Sequence, residues 1–215
     1  MRKSVITLAI GAMIAPALVT AQDATKSVAG GGELAPGWQM RVDPRAGSGT
    51  PPKFVAMGNG FHATNPQAAV YFNPANTATG NYTLKGNFVL QKPSNHTNYY
   101  GLVLGGAELE GAGQNYIYFM IAQDGTWMVK HRAGADTHDV AKGPSDAVKK
   151  PDATGKSTNA LEVRVAAAKI DYVVNGTVVH STPKSGMTAK TDGVYGIRIN
   201  HQLEVHVDGL SVAKM

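Results

Sequence analysis

The sequence predicts an all-β fold, a two-sheet antiparallel β-sandwich or jelly roll formed by a single domain. About a dozen short runs alternate apolar and polar residues with the period of a strand, and no stretch shows a convincing helical period. The 25 Gly and 11 Pro, with only 16% charged residues, favour many short strands and turns over a helical bundle. The chain has no Cys, so its sheets must hold it together without disulfides or thiolate-bound metal.

The first residues predict a cleavable secretory signal peptide over 1–21. Two basic residues precede an apolar segment at 5–19, and small side chains precede the expected cut. The apolar segment is shorter than the roughly 20 residues that cross a bilayer, so we predict export to the periplasm or the exterior and no membrane span. Residues 22–36 lack periodicity, which predicts a flexible lead-in before a β-sandwich domain at 37–215.

Turn-forming residues divide the domain into its strands. The pair Asn175-Gly176 predicts a tight hairpin turn, and the polar stretch 133–158 predicts a long loop. The predicted strands lie at 38–42, 54–64 (a hairpin turning at 58–60), 69–73, 82–91, 99–104, 115–132 (a second hairpin), 160–166, 169–174, 177–180, 194–200, 203–207 and 210–213.

The hairpin at 115–132 is the stretch around which the rest of the domain is organised. Its centre, Asp124-Gly125, predicts a two-residue turn that places Tyr118 opposite His131. One face then carries Tyr116, Tyr118, Met120, Trp127, Val129 and His131, and the other carries Ile117, Phe119, Ile121, Met128, Lys130 and Arg132. Both faces are largely apolar, which predicts a hairpin in the middle of a sheet but leaves open which face points inward.

The stretches 118–132, 159–183 and 191–212, with their strand patterns and turns, resemble the concanavalin A-like lectin/glucanase superfamily in the style of laminin-G domains. They are also similar to the domain of the 3-keto-disaccharide hydrolase-like family. The resemblance implies two curved sheets packed face to face, with ligands bound in the concave face or at its rim loops. Members of the superfamily include carbohydrate-binding modules, adhesion domains and glycosidases.

Aromatic and polar side chains of the hairpin region are the candidate binding residues. Sugars present apolar C–H faces that stack on Trp and Tyr rings, while neighbouring polar groups bond their hydroxyls. The predicted substrate-binding residues are Tyr99, Tyr116, Tyr118, Trp127, Lys130, His131 and Arg132. Because large aromatic residues are mostly buried, core packing of Trp127 is the alternative interpretation.

Glu108 and Glu110 are the candidate catalytic pair. Alternate residues of a strand share a face, and retaining glycosidases need two carboxyl groups about 5 Å apart. The related glucanases carry a Glu-x-Asp-x-x-Glu strand, from which Glu-Leu-Glu-Gly-Ala-Gly departs. Asp208, before Gly209, is a candidate ligand for the structural calcium that the resemblance implies, and no other cofactor is expected.

Charge and composition limit the possible partners. The chain carries 20 Lys and Arg against 15 Asp and Glu, and removal of Arg2 and Lys3 with the signal peptide leaves 18 against 15, a net charge of +3. The basic residues are scattered, so nucleic acid is not an expected partner. We predict an exported, non-catalytic carbohydrate-binding module for a cell-envelope or other glycan. A glycoside hydrolase using Glu108 and Glu110, and a structural or adhesive envelope protein that binds another protein, remain the alternatives.

Overall fold

The computed structural model describes residues 34–43 and 50–215, and within them every strand pairing is antiparallel. The predicted signal peptide and residues 22–33 of the predicted lead-in lie outside the described residues. The strands are β1 (Gln39–Val42), β2 (Lys53–Met57), β3 (Gly60–Asn65), β4 (Ala69–Ala78), β5 (Tyr82–Lys92), β6 (Tyr99–Ala107), β7 (Asn115–Ala122), β8 (Thr126–Ala133), β9 (Asp136–Pro144), β10 (Ser157–Val165), β11 (Lys169–Val174), β12 (Thr177–Pro183), β13 (Gly193–Ile199) and β14 (Leu203–Lys214). One 3-10 turn, Gly186–Thr188, precedes β13.

The described strands form two seven-stranded sheets. Sheet A has the order β1-β4-β13-β6-β7-β8-β9, and sheet B has the order β12-β11-β10-β5-β14-β3-β2. The chain passes repeatedly from one sheet to the other, and only β6 to β9 follow one another within sheet A. The predicted all-β class with two antiparallel sheets is therefore confirmed.

A single apolar core lies between the two sheets. Alternation along β5 buries Leu84, Phe88 and Leu90 on one side and leaves the residues between them more exposed. Across the core, Phe54 of sheet B stacks on Tyr71 of sheet A with ring centroids 4.3 Å apart. Each large side chain buried in this way stabilises the fold by about 1.5–3 kcal/mol.

The start of the described chain already belongs to this core. Ala35, in the predicted lead-in, is buried, and its backbone N–H donates to the carbonyl of Phe54 at 3.2 Å. Leu34 and Trp38 pack against the same cluster. The packed region therefore extends a few residues before the predicted domain start at 37.

The register predicted for the hairpin at 115–132 is wrong by one residue. Tyr118 pairs with Lys130, not with His131, because the connection has three residues and not two. Gly125 has φ +90° and donates its N–H to the carbonyl of Ala122 at 3.2 Å, as in a turn followed by a left-handed residue. A one-residue slip exchanges the faces of one strand relative to the other. Trp127 therefore shares its face with Phe119, and Tyr118 shares its face with Lys130.

Two further differences concern strand limits. The predicted loop 133–158 contains β9, which is mostly exposed and forms the edge of sheet A. Polar edge strands protect a sheet from further pairing, and their sequence lacks the apolar alternation that predicts a strand. The predicted strands 203–207 and 210–213 are one continuous strand, β14, whose pairing with β5 shifts between Asp208 and Ser211 around Gly209.

Candidate functional site

The outer face of sheet A is the side that points away from sheet B, and it carries a second cluster of buried apolar residues. On β7, alternation sends Phe119 into the core and Tyr118 and Met120 to the outer face. On β8, the outer face receives Met128 and Lys130. The buried cluster comprises Val70, Phe72, Val103, Leu109, Tyr116, Tyr118 and Met120, with Tyr99, Met128 and Val194 packed against it.

Contacts between distant strands show that the outer face of sheet A is concave. Asp43 follows β1 at one edge, and its backbone N–H still donates to the carbonyl of Ala68 beside β4. Its carboxylate Oδ1 nevertheless lies 4.0 Å from Nη2 of Arg132 on β8. β1 and β8 are five strand spacings apart, about 24 Å in a flat sheet. The sheet must therefore curve so that side chains from both sides meet above its centre.

Arg198 of β13 lies at the centre of this face. Its guanidinium donates from Nη2 to Asp43 Oδ2 at 2.5 Å and from Nη1 to the hydroxyl of Tyr116 at 3.0 Å. The same group lies 5.2 Å from the ring centroid of Tyr118, within cation–π range. Only 7% of Arg198 is exposed, so its charge is compensated by these three neighbours and not by bulk water.

The protonation states of the face follow from this packing. Burial opposes the charge of Arg198, but Tyr116 and Asp43 outweigh it and raise the pKa of the guanidinium above its usual range. Burial raises the pKa of the Tyr118 hydroxyl to about 12, although Arg198 opposes the shift. The face therefore presents a permanent cation beside tyrosines that keep their protons at neutral pH.

Several buried polar atoms of this face have no hydrogen-bond partner. They are Gln39 Oε1, Arg41 Nε, Asp43 Oδ1 and Arg198 Nε. Buried polar groups in proteins are almost always hydrogen-bonded, so a group of unpaired atoms in one concave surface needs an explanation. Because each of these atoms is enclosed by the protein, a ligand could reach it only if a neighbouring side chain moved.

The structure brings five of the seven predicted binding residues to this face. Tyr99, Lys130 and Arg132 are partly exposed there, whereas Tyr116 and Tyr118 are buried in the outer cluster. The hydroxyls of Tyr99 and Thr126 are 2.9 Å apart at one end.

The other two predicted binding residues lie on the core side of the sheet. Trp127 is 6% exposed and stacks on His180 with ring centroids 5.0 Å apart. His131 follows two residues later on the same side, where its Nε2 lies 3.3 Å from Oδ1 of Asn115. We therefore do not include Trp127 and His131 in the binding surface.

Glu108 and Glu110 do not lie on a strand, so the argument that they share a face is wrong. β6 ends at Ala107, and Glu108 has a positive φ of +50° in the loop that follows. Both side chains are exposed, and the loop is held by Arg41, whose Nη1 donates to the carbonyl of Gly111 at 2.7 Å. The glycine-rich sequence after β6 therefore forms a tight loop and not a strand.

The described residues do not fit a calcium site at Asp208. Its Oδ1 accepts a hydrogen bond from Nδ2 of Asn87 at 3.0 Å. Calcium needs six to eight oxygen ligands, and in the described part of the chain no three His, Cys, Asp or Glu side chains are grouped to hold a metal ion.

Sequence reasoning missed Arg198 and Asp43, which organise the site. The signal in the sequence is that Arg198 is a charged residue between Ile197 and Ile199, in a strand whose other residues are apolar. Nothing local links it to Asp43, since the two residues are 155 positions apart in sequence. The partnership depends on the curvature of the whole sheet.

Sheet B carries a separate group of buried histidines on its own outer face. His62 and His206 lie opposite each other in the pairing of β3 with β14, and His62 Nε2 lies 3.0 Å from Oε1 of Glu204. Burial lowers the pKa of His62, although the bond to Glu204 opposes the shift. Burial and the neighbouring His62 lower the pKa of His206, although Asp208 opposes the shift. Both rings are therefore neutral in the folded protein at pH 7.

We expect these histidines to make the fold less stable as the pH falls below about 6.5. The unfolded chain then binds protons that His62 and His206 resist in the folded state, so the free energy of unfolding decreases toward pH 5.5. Urea titrations between pH 5.5 and 7.5 measure this change. The variant His62→Gln/His206→Gln should have a flatter profile, and an unchanged slope in that variant would contradict the assignment.

Solved structures with a similar fold include sugar-binding proteins. The carbohydrate-binding module CBM66 from Bacillus subtilis aligns with a TM-score of 0.60 and 8% sequence identity, over 84% of this chain and 97% of its own. A Bacillus subtilis protein with a galectin-like fold aligns with a TM-score of 0.60 and 13% identity, over 82% and 89%. The exoplasmic/lumenal domain of VIP36, bound to Ca²⁺ and Man3GlcNAc, aligns with a TM-score of 0.52 and 10% identity, over 85% and 89%.

At these identities the likeness establishes the fold alone. The chain folds as a β-sandwich of the kind found in lectins, galectin-like proteins and carbohydrate-binding modules. No protein-family model matches the sequence, and no curated protein matches it either. Within residues 34–43 and 50–215, no helix combines the length and the apolar character needed to span a membrane.

Proposed function

We propose that the protein is an exported carbohydrate-binding module that holds a glycan on the outer face of sheet A without catalysing a reaction. The observation that carries this proposal is the position of Arg198, whose guanidinium lies over the ring of Tyr118 in a concave face. Small-molecule sites combine apolar walls with a few placed polar groups, and sugars match this combination with C–H faces and hydroxyls. The partly exposed side chains of Tyr99, Lys130 and Arg132 are suited to those C–H faces and hydroxyls.

The fold supports the same proposal. The three neighbours described above include a carbohydrate-binding module and a domain bound to Man3GlcNAc. We propose that the chain belongs to the concanavalin A-like superfamily, with the laminin-G and 3-keto-disaccharide hydrolase-like groups as its relatives. The placement of Glu108 in a tight exposed loop favours binding over glycoside hydrolysis. Export rests on the predicted signal peptide.

A glycan array of the protein without residues 1–21 tests the proposal, and Tyr99→Ala locates the site, because Tyr99 is partly exposed on this face while Tyr116 and Tyr118 are buried. Removing this ring should weaken glycan binding at least tenfold, about 1.4 kcal/mol, because aromatic residues that contact the ligand contribute much of the affinity. Tyr195→Ala is the matched control, since Tyr195 lies on β13, which pairs with β6, but packs against the core. Calorimetry on the best array hit measures both variants.

The control separates binding from folding. Both substitutions remove a tyrosine from sheet A and should lower the melting temperature, but only Tyr99→Ala should reduce the affinity of the folded protein. Equal affinities of the two variants would mean that the glycan does not bind on the outer face of sheet A. A blank array would overturn glycan binding, and cleavage of a bound glycan would show an enzyme.

A further inference from the structure

The strands place more positive than negative charge on the outer face of sheet A. The cationic side chains on the face are Arg41, Lys130, Arg132, Lys142 and Arg198. On the same described strands and the residue that follows β1, the carboxylates on the face are Asp43 and Asp139. The strands of this concave surface therefore carry five cations and, with Asp43, two carboxylates.

The ion pairs do not neutralise this excess. Asp139 Oδ1 lies 2.7 Å from the ammonium of Lys130, and its Oδ2 lies 3.9 Å from that of Lys142. Asp43 is similarly shared between Arg198 and Arg132. Each carboxylate is thus shared between two cations, so part of the positive charge remains available for a ligand.

The unneutralised charge is concentrated on β8 and β9. Asp136 lies on β9 but on the opposite side from Asp139, and other carboxylates near the face belong to loops at its ends. Glu108 and Glu110 line a cavity of about 420 Å³ with Gln39 and Phe72, on the side of β1 and β4. Asp124 lies in the turn between β7 and β8, where it accepts hydrogen bonds from Thr126.

Between these ends, Lys130, Arg132 and Lys142 form a cationic strip beside Tyr118. In the pairing of the strands, Tyr118 lies opposite Lys130, and Lys130 lies opposite Asp139. The side chain of Lys130 is 26% exposed and that of Arg132 is 15% exposed, so their charges are partly shielded from solvent. Partly buried charges are screened by salt less than exposed ones and attract an anion more strongly.

We propose that the glycan bound by this face is acidic, a polyuronide whose carboxylates contact Lys130, Arg132 and Lys142. This inference rests on the proposed function and names its ligand class. Arginine and lysine form charge-assisted hydrogen bonds with carboxylates, which are about twice as strong as bonds between neutral groups. A neutral glycan would leave the excess charge of the strip uncompensated.

The test compares polygalacturonate with fully methyl-esterified polygalacturonate, since the two share a backbone and differ in charge. The protein without residues 1–21 should bind the acid at least tenfold more tightly than the ester in 0.15 M salt. Lys130→Gln should reduce binding of the acid about tenfold and thereby reduce the preference for the acid over the ester. Lys169→Gln is the matched control, because Lys169 is also paired with an aspartate, Asp171 at 2.9 Å, but lies on sheet B.

The outcomes distinguish the two proposals. Equal binding of acid and ester, or binding of neutral glycans alone on the array, would overturn the acidic ligand and leave glycan binding in place. Equal losses in Lys130→Gln and Lys169→Gln would show attraction by net charge alone and would also overturn it. If neither an acidic nor a neutral glycan bound the protein, the proposed function itself would be overturned.

Discussion

The variant Gly101→Ala is expected to unfold with a free energy at least about 3 kcal/mol below that of the unmodified protein, because overpacking costs 1–3 kcal/mol and more when backbone atoms collide. A Cβ at Gly101 would lie 2.2 Å from the carbonyl oxygen of Phe119 and 2.8 Å from Cα of Met120. Such distances are too short for carbon, so β6 and β7 would have to separate. Gly101 also lies opposite Arg198 in the pairing of β6 with β13, so the same change disturbs the centre of the candidate site.

Gly111→Ala is the matched control for this prediction. Gly111 lies in the loop after β6, and the nearest atom to an added Cβ is 3.6 Å away, an ordinary contact. Urea unfolding of the two variants should show a small change for Gly111→Ala, within about 0.5 kcal/mol. A Gly101→Ala protein with unchanged stability would contradict the close approach of β6 and β7, and recovery of Gly101→Ala only in the insoluble fraction would support it.

The hairpin at 115–132 shows where prediction from the sequence reaches its limit. The alternation within each strand and the position of the turn were predicted correctly. The register was wrong because Asp124-Gly125 occurs in two-residue and three-residue connections alike, and the hydrophobic pattern normally decides between them. Here both faces of the hairpin are apolar, since one face packs in the core and the other on the outer face of sheet A.

The candidate site was predictable only in part for a related reason. Tyr118 and Lys130 were selected as aromatic and polar residues, and the structure places both on one concave face. Arg198 and Asp43 were not selected, because their pairing depends on the curvature of a seven-stranded sheet. Curvature results from the twist and packing of all the strands, and no short sequence pattern encodes it.

The buried ion pair between Asp43 and Arg198 should be the most strongly coupled pair of charges on the outer face of sheet A. Asp43→Asn leaves a guanidinium that cannot lose its proton, in a site where 9% of its side chain is exposed. Breaking a buried pair costs about 3–5 kcal/mol when one charge remains uncompensated. The Asp43 side chain is 20% exposed, so we expect the lower end of that range, about 3 kcal/mol.

Arg198→Met should cost less than Asp43→Asn, because Asp43 can still reach water and Arg132, 4.0 Å away. In the double variant neither charge remains, so its loss should be smaller than the sum of the two single losses by at least about 1 kcal/mol. Asp139→Asn is the matched control: Asp139 pairs with Lys130 at 2.7 Å on the same face but has a 56% exposed side chain, so we expect a change of at most about 1 kcal/mol. Additive losses in the Asp43 and Arg198 cycle would mean that the two charges do not stabilise each other. The centre of the face would then be stabilised by packing around Tyr118, and the charge of Arg198 would be available to a ligand.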